Sequence, residues 1–352
     1  TRDSEKINAG SWNPSNVPYY EMNHYYKGIR ECNIFLQNVD RCTDPIATED
    51  MKAMWKAQTH FARAYYYFMM MRIYGPVFLI GDEIMDATAS TEALARPRNT
   101  WDECVSYVVS EMTALIENPI VTDGWKSDSD KGLATKGACQ AVISRLRLYC
   151  ARDLFNGNQL YASVKNPDGT PLFPLQYDNS KWLEAAKAAR VLIDNPLYKL
   201  YRGDDNDPYE NYFDVLWKTW NSELIWTTGY KGGYNIGVHT APGAIGGTAY
   251  GGCSVTQQQV DAYAMKNGLY PISGYDNDGK PFVNPESGYE DAGLSAWTYP
   301  NWLGASAPSG AKMPNMFKDR EPRFYVSIFF SGLEWKFGSS KKKISLADGG
   351  NS

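Results

Sequence analysis

Apolar positions recur at steps of three and four through the first two hundred residues. Tyr25, Ile29, Cys32, Leu36 and Val39 form one stripe, and Met54, Gln58, Phe61, Tyr65 and Met69 form a second. On an α-helix such residues share one face, so each stretch predicts a helix with one side turned to a core. A third stripe runs Trp101, Val105, Val108, Met112 and Leu115. Thr100 is placed to cap its first turn, with Glu103 completing the capping box, and Asn118-Pro119 marks its exit. A fourth helix is predicted over Ala134 to Phe155, where Gly137, Ala138, Cys139 and Ala141 permit close approach ahead of the bulkier Leu146, Leu148 and Tyr149. A fifth covers Ser180 to Asn195, stops at Pro196 and sets Trp182, Ala186, Ala189 and Ile193 on one face.

Aromatic side chains filling holes left by Ala and Gly on neighbouring helices is the packing logic of tetratricopeptide repeats, here with an irregular period and long insertions. The predicted fold is therefore mainly α. Residues 1–200 form a tetratricopeptide-like helix-pair solenoid, and residues 201–352 form an irregular, loop-rich C-terminal half packed on it in one integrated domain. An irregular helical bundle is the plain alternative. After residue 200, Gly, Pro, Asn and Asp become frequent, and helical periodicity survives only around Tyr209 to Trp220 and Thr256 to Met265. Ser222 to Thr228 and Arg323 to Ser331 read as short strands. Long ordered loops commonly carry function, which directs attention to this half.

Charge removes some function classes. A formal net charge of -5 argues against general nucleic-acid binding, which needs clustered Lys and Arg. The one basic run, Lys341 to Lys343, reads as a solvated tail or turn. No stretch approaches the roughly 20 apolar residues of a membrane span. The chain starts without Met or a signal peptide, so any targeting or lipidation segment is expected outside it. Six cysteines show neither C-x-x-C pairing nor a His at zinc-site spacing. Each is expected to serve as a small buried hydrophobe.

Catalytic patterns are missing. His24, His60 and His239 have no second ligand at metal spacing, and His60 reads as structural. There is no G-x-S-x-G elbow. The glycine-rich stretch Gly229 to Gly252 lacks G-K-[ST] and a strand–helix context, and reads as a surface loop near a ligand or partner. Acidic clusters at Asp204 to Asp207 and Asp276 to Gly279 raise calcium as a possible structural ion, but neither fits an EF-hand loop and turn chemistry explains both more simply. No cofactor is expected otherwise. A glycosidase would need two facing carboxylates, and nothing points to such a pair.

Aromatic residues make up 14% of the chain, more than a core of this size needs, so some are expected to face solvent or a ligand. Trp12, beside Asn13, precedes the first helix. Tyr289, Trp297, Tyr299 and Trp302 fall in one late loop with Asp291 and Asn301. Sugars present apolar C–H faces and polar rims, so flat rings edged by amides and carboxylates suit them. A stacked ring hiding about 60 Å² contributes roughly 1.5 kcal/mol before entropic costs. Three such rings give roughly millimolar affinity, suited to capture followed by release.

Four stretches carry a resemblance: Tyr26 to Leu36 (YKGIRECNIFL), Phe61 to Ile80 (FARAYYYFMMMRIYGPVFLI), Ala134 to Ala151 (ATKGACQAVISRLRLYCA) and Met316 to Tyr325 (MFKDREPRFY). With Thr256 to Gly268 and the Asp319-Arg320-Glu321-Pro322-Arg323 element, similar to the family's R-D-P-R, they resemble the SusD/RagB family of surface nutrient-binding lipoproteins. The resemblance implies tetratricopeptide-like helix pairs supporting an irregular half, and no enzymatic activity. It implies a lipid anchor on the external face of the outer membrane, outside these residues, and a SusC-like TonB-dependent transporter as partner. The implied ligand is an oligosaccharide or polysaccharide, with a peptide, or a lid holding no ligand of its own, as alternatives. By region and residue type, Trp12, Asn13, Tyr289, Trp297, Tyr299 and Trp302 are the implied substrate contacts. The family is usually longer at both ends, so further segments are expected beyond these 352 residues.

Overall fold

The structure is a computed structural model that describes residues 6, 9–13, 15–16, 21–86, 88–218, 220–227, 239–243, 254–300, 305–306, 310, 312–337 and 340–346. The chain divides into two compact units. One comprises Tyr19–Leu200 with Ser222–Gly229, and the other Thr1–Pro18, Tyr201–Asn221 and Tyr230–Ser352.

Five long helices among the described residues build the first unit: α1 (Met22–Asn38), α2 (Glu49–Tyr74), α3 (Trp101–Glu117), α4 (Lys136–Ala151) and α5 (Ser180–Ile193). Each packs on the next in order, α1 on α2 through to α4 on α5, as stacked helix pairs require. Their starts follow capping chemistry. Thr48, Thr100 and Thr135 accept from backbone amides of α2, α3 and α4, and Thr100 with Glu103 forms the expected capping box.

The α3 stripe is buried at all five predicted positions. On α2 burial goes beyond one stripe: Phe61 is buried as expected, but so are Ala57, Ala64, Tyr67, Phe68, Met70 and Met71, because α2 touches α1, α3 and α4. Small residues give the contacts their closeness. A Cβ on Gly28 would stand 2.8 Å from the Tyr66 ring, and one on Gly137 would collide with the Tyr198 side chain. Cys104, Cys139 and Cys150 are buried as expected, whereas Cys42 follows the end of α1 and is exposed.

On α5 the predicted face is wrong. Trp182 and Ile193 are exposed, and the one buried residue is Ala185. Ala185, with half-buried Ala188, Ala189 and Leu192, lets α5 approach α4 closely, which the larger Trp182 and Ile193 would prevent.

Residues 152–179 leave α4 and return to the aromatic core. Trp101 stacks on Phe155 at 4.0 Å, Tyr161 stacks on Phe173 at 4.1 Å, and the Trp101 amide donates to the Leu172 carbonyl at 2.8 Å. The Ser222 to Thr228 segment, expected as a strand, is described to Thr227 as turns and bends. It serves instead as an anchor. Trp226 packs edge-on against Phe61 and Tyr65, each at 5.1 Å, and its indole N–H donates to the Gly132 carbonyl.

This unit also holds a charged cluster. Arg63 is 2% exposed and donates to Asn33 Oδ1 at 2.8 Å, to Asp82 Oδ1 at 2.5 Å and to Glu111 Oε2 at 3.3 Å. His60, structural as expected, lies 3.2 Å from Glu111. Asn33 in turn donates to the carbonyls of Gly81 and Glu83, so the α1, α2 and α3 side chains together fix the turn that follows α2.

In the second unit α6 (Pro208–Trp217) starts at Asp207, whose carboxylate accepts from the Tyr209 and Glu210 amides, with Pro208 in the first turn. It packs on the short helix α7 (Pro322–Ser327). Arg323 to Ser331 was expected as a strand; Pro322 instead opens α7, and only the residues after Ser327 are extended.

Among the described residues, seven short strands form three small antiparallel sheets: β1 (Ile272–Tyr275) with β2 (Pro281–Val283), β3 (Leu294–Ala296) with β5 (Lys312–Pro314), and β4 (Ala305–Ser306), β6 (Glu334–Phe337) and β7 (Ser340–Lys343) in the order β4-β6-β7. The basic run Lys341 to Lys343 is thus paired strand, not the solvated tail or turn expected. Between β1 and β2, Asp276 accepts from the Asp278 and Lys280 amides, so this acidic cluster is a hairpin turn.

Candidate functional site

Trp12, at 52% exposure, and its neighbour Asn13 are the predicted contacts that face water among the described residues. A tight turn presents it. Asn16 N–H donates to the Asn13 carbonyl at 2.9 Å, and Asn13 Oδ1 accepts from the Ser15 amide at 2.9 Å. The Asn13 carboxamide oxygen therefore sets the turn rather than standing ready for a ligand, which leaves its N–H₂ group as the donor beside the ring.

The late aromatics behave differently. Tyr289, Trp297 and Tyr299 are buried, the last at 4% exposure, so the expectation that they stand as solvent-facing platforms is corrected. Trp297 and Tyr299 pack edge-on at 6.2 Å in a core with Phe324, Tyr325, Phe330 and Met313. Buried aromatic polar groups need partners, and both have them. The Trp297 indole donates to the Met313 carbonyl at 3.2 Å, and the Tyr299 hydroxyl accepts from the Glu334 amide at 2.8 Å. The reason is long-range: β3 pairs with β5, and β6 passes close by, turning an apparent loop into the wall of a core. Burial pushes the Tyr299 hydroxyl up to about 12. Trp302 lies outside the described residues, as does most of the Gly229 to Gly252 stretch.

Tyr289 joins a polar centre that the pattern of hydrophobic residues concealed. Arg320 is 2% exposed, with its guanidinium 5.1 Å from the Tyr289 ring centre and 5.3 Å from that of Phe324. It donates to the carbonyls of Tyr263 at 2.7 Å and Met316 at 3.0 Å, and its own amide donates to the Tyr325 hydroxyl. Burial draws the Arg320 guanidinium down from its ordinary range and pushes Tyr289 up to about 12. Nearby Asp261, also buried, accepts from the Tyr275 hydroxyl at 2.7 Å and the Gln257 amide at 2.8 Å. These contacts make Arg320 a clamp that ties its own stretch, Met316 to Tyr325, to the segments holding Tyr263 and Tyr289. Beside Trp12, the exposed rings described in this unit are Tyr270 and Phe282, both missed from sequence. Phe282 lies across from Gly274 on the β hairpin, a pairing that only the structure shows.

Among the described residues no group of three or more His, Cys, Asp or Glu side chains comes together to hold a metal ion. No helix among them is long and apolar enough to cross a membrane.

Stacked helix pairs accompanied by a loop-rich unit of short strands place this chain among mainly α, tetratricopeptide-like proteins, and comparison with known proteins gives the family. Residues 3–148 match the SusD-like profile described as "Starch-binding associating with outer membrane", and residues 214–351 match the SusD_RagB profile, "SusD family". The chain belongs to the SusD/RagB family.

A SusD-like protein of Bacteroides ovatus is 26% identical over 132 residues, covering 38% of this chain and 22% of the relative. Among solved structures, a protein named BT4246 superposes with a TM-score of 0.70 at 22% identity, over 95% of this chain and 59% of its own. A SusD-like protein from Bacteroides fragilis gives 0.62 at 22% identity, over 91% and 51%. A SusD-like carbohydrate-binding protein from the same species gives 0.57 at 18%, over 91% and 48%. This chain thus spans about half of the solved relatives' length.

Proposed function

We propose that this protein is a non-catalytic, cofactor-free glycan-binding component of the outer cell surface. It captures oligosaccharide or polysaccharide and delivers it to a SusC-like TonB-dependent transporter, held at the membrane by a lipid anchor outside the present residues. The observation that carries this reading is family membership, through two profiles that together take in both units, one of them described as starch-binding. Trp12 supports it, as a large ring held out to solvent on a hydrogen-bonded turn. A rigid exposed aromatic suits stacking on a sugar face, because little freedom is lost on binding.

Affinity electrophoresis and isothermal titration against amylopectin, laminarin, xylan and galactomannan test the proposal. Binding to at least one, weakened about tenfold by Trp12→Ala with an unchanged melting temperature, is the expected outcome. Burial of Tyr289, Trp297 and Tyr299 favours a second reading, a transporter lid without its own ligand. That reading gains if the barrel co-purifies while every polysaccharide leaves the protein unmoved. Binding to peptides alone points to a peptide-capturing relative.

A further inference from the structure

A different part of the molecule has the makings of a sugar site. Between the end of α4 and the start of α5, an open cleft of about 460 Å³ is lined by Asp153, Leu154, Asn156, Gly157, Asn158, Gln159 and Tyr177. Its volume lies at the lower end of small-ligand sites. Tyr177 is 54% exposed, and Trp182, at 42%, donates its indole N–H to the Tyr177 hydroxyl at 3.0 Å. Two large aromatics thus remain half in water, tied to each other at their polar edges. The core does not claim them.

The backbone around the cleft is fixed as well. Asn156, 2% exposed, donates to the Asp178 carbonyl at 2.9 Å and accepts from the Asp178 amide at 2.9 Å, binding the two walls in the manner of a strand pair. Gly157 adopts a positive φ of +82°, and a Cβ there would stand 2.7 Å from the Tyr177 backbone nitrogen. Only glycine lets the wall holding Tyr177 lie this close. Gln159 donates its side-chain amide to the Leu175 carbonyl, a third tie across the cleft. The exposed Asp153 carboxylate and the Asn158 Nδ2 have no hydrogen-bond partner among the described residues. An acceptor and a donor at the rim of an aromatic platform match the vicinal hydroxyls and C–H face of a pyranose.

We propose that this cleft is a second glycan subsite, carried by the helical unit, in which one hexose ring stacks on Tyr177 while Asp153 and Asn158 bond its hydroxyls. The subsite rests on the glycan-capture reading above and adds a contact point distinct from Trp12.

The test uses the full chain with the polysaccharide that binds best in the panel above, and an oligosaccharide of two to four units cut from it. Tyr177→Ala is expected to weaken binding about tenfold, Tyr177→Phe to retain most of it, and Asp153→Asn to weaken it several-fold, all with unchanged melting temperatures. Gly157→Ala, which forces the Tyr177 wall outward, is expected to weaken binding even where circular dichroism shows the fold intact. Unchanged binding in Tyr177→Ala and Asp153→Asn, alongside loss in Trp12→Ala, overturns the subsite and leaves glycan capture standing. Failure of the wild-type protein to bind any glycan overturns both. Equal loss in Tyr177→Phe and Tyr177→Ala overturns the stacking role.

Discussion

Arg63 lies almost wholly out of water, yet no opposite charge is buried with it to the same depth: Glu111 is 23% exposed at its side chain and Asp82 83%. Hydrogen bonds to Asn33 and Asp82 and across to Glu111 make its burial tolerable. Removing the guanidinium leaves the buried Asn33 carboxamide oxygen without its donor. Arg63→Met is therefore expected to cost about 3 kcal/mol in urea unfolding, most of it from unpaired polar groups. Burial pushes the Glu111 carboxyl up, but hydrogen bonds and charge from His60 and Arg63 outweigh it and hold the folded value below the ordinary glutamate range. A depressed carboxylate stabilises the folded state above its unfolded pKa of about 4.3, and that contribution is lost as pH falls through the lower folded value. Melting temperatures measured from pH 6 down to 3 should fall less steeply in Glu111→Gln than in wild type.

At the level of elements, close helix approach is set by the smallest residues. Gly137→Ala places a methyl group inside the Tyr198 side chain and is expected to destabilise by about 2 kcal/mol. Tyr198→Ala in the same molecule should recover part of that loss in thermal melts. These elements also show how far the sequence could be read. The α3 stripe and its capping box depend on neighbours three and four residues apart, and every predicted position is buried. The α5 face failed because the larger apolar side chains suggested the core side, whereas helix approach favoured the alanines. Trp182 stayed hidden because its helical spacing matches a core stripe, and Tyr177 because it precedes the loop-rich half to which the composition points. Trp297 and Tyr299 misled in the opposite sense. Their partners, Met313 and Glu334, are sixteen and thirty-five residues away, and pairing across such distances leaves no local pattern. Trp12, on a turn closed within four residues, was legible.

Across the whole molecule, the two units are not consecutive in the chain. The helical unit reaches past residue 200 for Ser222–Gly229, and the other gathers three separate stretches. Trp226 is what this return delivers, a ring against Phe61 and Tyr65 with a bond to the Gly132 carbonyl. Half-buried as it is, Trp226→Ala is expected to cost about 2 kcal/mol, read from the urea midpoint of the helical unit followed by circular dichroism.

The three-stranded sheet ends on β7, which pairs with β6 and carries Lys341, Lys342 and Lys343 in succession. An outermost strand offers its unused backbone groups to any extended chain that passes, and so invites self-association. Here an approaching copy would bring its own lysines beside Lys342 and Lys343, a repulsion that grows as water is squeezed out. The basic run thus gives the sheet, as far as the described residues go, an end that a second copy is poorly suited to extend.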